Sequence, residues 1–106
     1  MLYGLADGII VIHVGVLLDT IRAAAADGRY LVGWHADERC EERGVTAWQL
    51  VAGLPEAELF RERLRSRPHP SVVVRQVLAD GTRVEVVWSW LAASRRAKLA
   101  TVFFKD

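Results

Sequence analysis

A chain of 106 residues, 52% apolar and 25% charged, is one domain's worth of sequence with the balance of a folded chain and not of a disordered tail. Its single cysteine, Cys40, excludes an internal disulfide and an all-cysteine zinc site. The net charge of +1 conceals a split: residues 1–58 hold four arginines against nine acids, and residues 59–106 hold eight arginines and two lysines against four acids.

Twelve of the fourteen basic residues are arginine, whose planar fork suits phosphate better than a lysine point charge does. That pattern hints at a polyanion partner, and its plainer alternative is a set of ordinary solvated arginines. The first apolar run, Ile9–Leu18, is about half the length of a membrane span and is broken by His13. No positive residue precedes it, as a secretory signal requires. The expectation is a cytoplasmic protein with no membrane partner, forming one domain over 1–106 in which 1–15 is an N-terminal extension.

Ile9–Val14 is continuous and β-branched, which predicts a short buried strand or an extension packed on the core. From Val16 the period becomes helical, with Leu17, Leu18, Ile21, Ala24 and Ala25 recurring and Gly28 standing at the stop, so a helix is expected over Val16–Asp27. Arg29–Trp34 reads as a short strand. Ala36–Arg43 reads as a polar helix closed by Gly44, and Thr46 with Gln49 has capping-box spacing for a third helix ending at Gly53. Glu56–Arg67 suits helix or strand on pattern alone. Ser71–Ala79 and Thr82–Leu91 are β-rich runs joined by Asp80-Gly81, a hairpin signal, and Lys98–Lys105 is a closing strand. Helices first and antiparallel strands afterwards predict an α+β fold.

A two-residue turn would set 75 opposite 86 and put Val73, Arg75, Val77, Val84, Val86, Trp88 and Trp90 on one face. Arg75 is then the lone charge on an apolar face, needing a carboxylate partner, an edge position or an anionic ligand. The four tryptophans, 34, 48, 88 and 90, are expected in the core. An open Trp88–Trp90 face would instead be a base-stacking or homodimer surface. No metal motif, glycine-rich phosphate loop or GxSxG is present, so no cofactor is expected. Cys40, between charged residues in a helix, reads as a half-exposed bystander.

The sharpest constellation is His35, Arg39 and Arg43, spaced by four so that all three share one side of a helix. An imidazole beside guanidiniums is what metal-free phosphodiester chemistry requires: a base for the 2′-hydroxyl and cations for the charge on phosphorus. The structural alternative is a capping histidine with Arg39 and Arg43 paired to Asp37, Glu38, Glu41 or Glu42. Arg43, in the last turn before Gly44, meets the negative end of the helix dipole.

The run His35-Ala-Asp-Glu-Arg39-Cys-Glu-Glu-Arg43-Gly-Val-Thr46 resembles the HA-x-x-R-x-x-x-RG-[IV]-[ST] signature of a bacterial and archaeal family, domain of unknown function 4258. The Ile21-Arg22 helix with its Gly28-Arg-Tyr30 exit, the Asp80-Gly81 hairpin and the terminal Ala100-Thr-Val-Phe103 strand are similar to that family's opening and close. Phe103 stands where the family often has Tyr, Gly33 where Ser is common, and the first fifteen or so residues have no counterpart.

The resemblance implies a fold like the RelE and BrnT ribonuclease toxins, with N-terminal helices packed on a curved antiparallel sheet and Glu56–Leu64 as a strand. It implies a metal-independent endoribonuclease toxin of a toxin–antitoxin pair, acting on RNA such as mRNA on the ribosome and bound by a cognate antitoxin protein. His35 and Arg39 would be catalytic, and Arg43, Arg75, Arg95, Arg96 and Thr101 would hold RNA. The alternative is a non-catalytic module of the same fold that docks a protein or nucleic acid. Because fold does not dictate chemistry, the two readings separate only at the site.

Overall fold

The computed structural model describes residues 15–105. The strand expected over Ile9–Val14 lies outside those residues. The described chain is α+β, with three helices leading into a five-stranded sheet.

Helix α1 covers Val16–Ala26 and buries Leu18, Ile21 and Ala24, the helical-period set. It stops as its composition requires: Gly28 takes φ +77, Arg29 N–H reaches back to Ala24 O at 2.8 Å and Gly28 N–H to Ala25 O at 3.1 Å. Strand β1 is Tyr30–Val32. Helix α2 is Trp34–Glu42, with Gly33 as N-cap. Trp34 and His35 thus lie inside its first turn, where the sequence had suggested the end of a strand. Helix α3, Ala47–Gly53, opens with the expected capping box, in which Thr46 N–H donates to Gln49 Oε1 at 2.9 Å. A single 3-10 turn, Leu54–Glu56, leads to β2, Glu58–Arg63, the strand that the resemblance implied. Arg22 of α1 pins this junction, donating to Leu54 O at 3.2 Å and Ala57 O at 2.5 Å. One arginine of the polyanion count is therefore structural.

Strands β3 (Ser71–Val77), β4 (Arg83–Leu91) and β5 (Arg96–Lys105) complete the sheet, in the order β1-β5-β4-β3-β2. The sheet is mixed where an antiparallel one was expected, because β1 runs parallel to β5, with Leu31 beside Lys98. Gly33 N–H extends that ladder to Leu99 O at 2.8 Å. A Cβ at Gly33 would stand 3.0 Å from that carbonyl oxygen, so glycine here serves a close approach of α2 to β5.

The hairpin register corrects the sequence reading by one residue. Val77 faces Arg83 and Arg75 faces Glu85, with Val86 opposite Val74. The expected two-residue turn needs positive φ at both Asp80 and Gly81, and only Gly81 has it, at +89. The chain instead makes a three-residue loop, with Gly81 N–H bonded to Leu78 O at 2.9 Å and Leu78 N–H to Thr82 O at 2.8 Å. Asp80 Oδ1 accepts from Thr82 N–H at 2.9 Å, which holds its carboxyl below the usual range. A one-residue slip exchanges the faces of a strand.

The core therefore collects Val72, Val74, Val84, Val86, Trp88, Leu99 and Val102 from one sheet face against Ile21 of α1, Ala36 and Cys40 of α2, and Leu50 of α3. Cys40 is 1% exposed, not half-exposed, and burial helped by Asp37 pushes its thiol up. Trp88 is fully buried, and truncating such an aromatic typically costs about 3–5 kcal/mol. Trp34 and Trp48 depart from the expected core placement, at 71% and 63% exposure, because the buried stripes of α2 and α3 are filled by smaller residues.

Candidate nucleic-acid interface

All three helices supply the core on one side of the sheet, so alternation sends every second strand residue to the other side. Cross-strand pairing lays that open face out in rows. Arg83 lies between Val77 and Lys105. The next row is Glu58, Arg75, Glu85 and Phe103, then Arg61, Val73, Val87 and Thr101, then Arg63, Ser71, Ser89 and Lys98. Arg96 follows opposite Leu91.

Two irregularities hold this phase. The pairing jumps between Leu59 and Arg61, leaving Phe60 as an extra residue on β2, and between Val87 and Trp88, leaving Ala100 extra on β5. Such bulges bend a strand and re-aim its side chains. Seven cations (Arg61, Arg63, Arg75, Arg83, Arg96, Lys98, Lys105) thus share the open face with two carboxylates, Glu58 and Glu85. The helices hold the opposite excess, with Asp19, Asp37, Glu38, Glu41 and Glu42 against Arg22 and Arg39. The charge split along the sequence has become a split between layers.

Arg75 is the best-held cation on this face. Its Nε lies 3.5 Å from Glu85 Oε2, and Lys105 Nζ is 3.6 Å from the other oxygen of the same carboxylate. Its guanidinium also stacks 3.6 Å from the Phe60 ring centroid. Arg75 is therefore not alone on an apolar face. Its partner comes from the neighbouring strand, and stacking fixes the fork in one orientation. Arg61 approaches the same ring at 5.2 Å. Phe60 and Phe103 are 39% and 47% exposed, so aromatic faces are interleaved with the cations. Val73, Val87 and Ser71 form a buried floor between them.

The residues singled out by sequence fall in different places. His35 stacks on Trp34 with ring centroids 4.5 Å apart, exposed in the first turn of α2. Arg39, one turn later, lies 4.0 Å from Glu42, a loose surface pair. Arg43 is the C-cap of α2 with its guanidinium 4.5 Å over Phe104, in keeping with a structural role. Arg95 sits in the β4–β5 turn at φ +56, its carbonyl accepting from Arg29. Arg96 and Thr101 are on the open face of β5.

The spacing predicts an active site where the start of the His35 helix meets the sheet, with His35, Arg39 and Arg75 or Thr101 lining one concavity, and the structure does not gather Arg75 with His35 and Arg39. Helix α2 packs on the core side through Ala36 and Cys40, whereas Arg75 projects from the other side of β3, two strands from β5. What the structure does bring near the open face is the start of α2, which meets β5 at Leu99 and Ala100, just before Thr101.

Sequence reasoning passed over Arg83, Lys105, Phe60 and Gln76 as site residues. Gln76 is 7% exposed on the core face, with Nε2 donating to Leu50 O at 3.2 Å and Oε1 without a partner. It lines a cavity of about 1000 Å³ at the hairpin end of the sheet. No signal of spacing marked it, since a lone Gln in a Val-rich strand reads as filler. Among the described residues no group of three or more His, Cys, Asp or Glu is gathered for a metal, and no helix is long and apolar enough to cross a membrane. No family model, curated protein or solved structure matches this chain. The resemblance thus stands on the residues of its motif alone.

Proposed function

We propose that this chain binds single-stranded RNA across its open sheet face. The observation that carries the reading is the row of seven cations and two exposed phenylalanines on one side of the sheet, turned away from an acidic helix layer. Cations supply salt-dependent attraction to phosphates, and aromatic or guanidinium planes accept unstacked bases. From β2 to β5 is three strand spacings, about 14 Å, so Arg61 and Arg63 on one margin and Lys98 and Arg96 on the other flank a single strand.

A second reading, cleavage, draws on the approach of Gly33, the N-cap of α2, to Leu99 and Ala100 of β5, and assigns the chemistry to His35 and Arg39 of that helix. His35 would take the 2′-hydroxyl proton as the 2′-oxygen attacks phosphorus and the bond to the 5′-oxygen breaks, leaving a 2′,3′-cyclic phosphate. Arg39 would oppose the charge on the phosphoryl oxygens. Phe103 has no hydroxyl to offer, so the departing oxygen takes its proton from water. This is the activity of a ribonuclease toxin, and a cognate antitoxin would then cover the same face.

Fluorescence anisotropy with a labelled single-stranded RNA, read against salt, tests binding. The Arg61→Ala/Arg63→Ala double variant should flatten the salt dependence by about 1.4 in slope, at about 0.7 per phosphate contact on a single strand. An unchanged slope, or no RNA binding by the parent chain, refutes the reading. Cleavage is read separately, as cyclic-phosphate product lost in His35→Ala while binding persists.

A further inference from the structure

The cavity at the hairpin end opens where the core side and the open face meet, and it takes walls from both. Trp48 and Gly53 of α3 with Gln76 of β3 form its inner side. At its rim Arg75, Arg83 and Lys105 stand against Glu56, Glu58 and Glu85. Three features of this lining define the occupant.

The rim charges balance, so the part of a ligand that enters is neutral; an isolated phosphate or an acidic side chain would meet as many carboxylates as cations. The largest flat surface is the Trp48 indole, which is 63% exposed and so free to stack. The third feature is the Gln76 amide. Leu50 O only accepts, so Nε2 must be the group that faces it, and Oε1 is left as a buried acceptor with no donor. Such an acceptor, covered in the free chain, favours a ligand N–H when the amide turns toward the cavity. Gly53 leaves room for the same side chain, since a Cβ there would stand 2.6 Å from Nε2. A neutral, flat, aromatic group with N–H donors on its edge is a nucleobase.

We propose that this cavity receives one nucleobase, stacked on Trp48 with an edge N–H directed to Gln76 Oε1. This rests on the RNA-binding reading: Arg75, Arg83, Glu85 and Lys105 belong to both the cavity rim and the open face, so a strand held on the face reaches the cavity without a break. The cavity then adds base recognition to a surface that otherwise grips backbone. A free mononucleotide carries the same chemistry, and the experiment separates the two sources.

The test uses the full chain labelled with nitrogen-15 and follows the indole N–H resonance of Trp48, assigned by its loss in Trp48→Phe. Titrants are the four nucleoside monophosphates, ribose 5-phosphate as the base-free control, and a single-stranded RNA octamer. The expected result is movement of the Trp48 resonance with the octamer and not with ribose 5-phosphate. Loss of one stacked base should weaken the octamer about tenfold in Trp48→Ala and much less in Trp48→Phe. Gln76→Met should reduce the spread of affinities among the four monophosphates. Movement with monophosphates but not with RNA supports the base site with a free nucleotide as its source. RNA binding that depends on Arg61 and Arg63 while Trp48 is unmoved by every titrant overturns the base site and leaves the open-face reading standing. Equal shifts with ribose 5-phosphate overturn it as well, since phosphate alone would then account for them.

Discussion

Replacing Gly53 by alanine is the sharpest test of how the hairpin end is packed. The residue has φ −86 and ψ −5, angles that alanine adopts freely, so the backbone carries no strain and the effect is steric. The new methyl would stand 2.6 Å from Gln76 Nε2, closer than such contacts occur. A glutamine at a surface would swing aside at little cost. This one is 7% exposed and donates to Leu50 O at 3.2 Å, so moving it breaks a buried hydrogen bond and strands the Nε2 donor. A stranded buried group costs about 1–3 kcal/mol. Gly→Ala returns about 0.4–1 kcal/mol through the unfolded chain. The net loss is about 1–2 kcal/mol, and at about 4–8 °C per kcal/mol for a chain of this size Tm should fall by roughly 5–15 °C. Calorimetry reads it, with Gly53→Ala repeated in a Gln76→Ala background. There the obstructing amide is gone, and the same substitution should be neutral or stabilising. A single Gly53→Ala variant that melts at or above the parent refutes the reasoning.

Glu85→Gln removes the carboxylate that Arg75 and Lys105 share, at 3.5 and 3.6 Å. Both cations are about half exposed, so stability should change by less than about 1 kcal/mol, while RNA affinity rises and its salt dependence steepens. Weaker RNA binding in this variant contradicts the assignment of the face. Cys40 is held protonated by burial, and then by Asp37, above its ordinary 9.0. A group with a raised folded pKa contributes stability that is intact below 9.0 and lost as pH climbs through the folded value. Urea unfolding should therefore show stability falling above that pH in the parent and less steeply in Cys40→Ala. Equal pH slopes for the two contradict it.

The elements were legible in the sequence because each is set by local physics. Alanine-rich helical spacing and Gly28 delimited α1 to within a residue, and Thr46 with Gln49 announced α3. The β-rich runs on either side of Asp80-Gly81 announced the hairpin. The site was legible only as residue types: arginines in the second half, a histidine beside them, a lone Arg75 in an apolar strand. Their grouping was not. Asp-Gly serves both a two-residue turn and a three-residue loop with Gly81 left-handed, and that one-residue choice moved Arg75 from the face of Val86 to that of Glu85. Bulges at Phe60 and Ala100 then decided which residues of β2 and β5 joined it. Trp48 and Gln76 meet at one cavity although 28 positions separate them, through the packing of α3 against β3. Helix stops and turns depend on neighbours within about five residues, which any sequence displays. Faces, registers and shared cavities depend on which distant segments pack together, and the tertiary structure alone decides that.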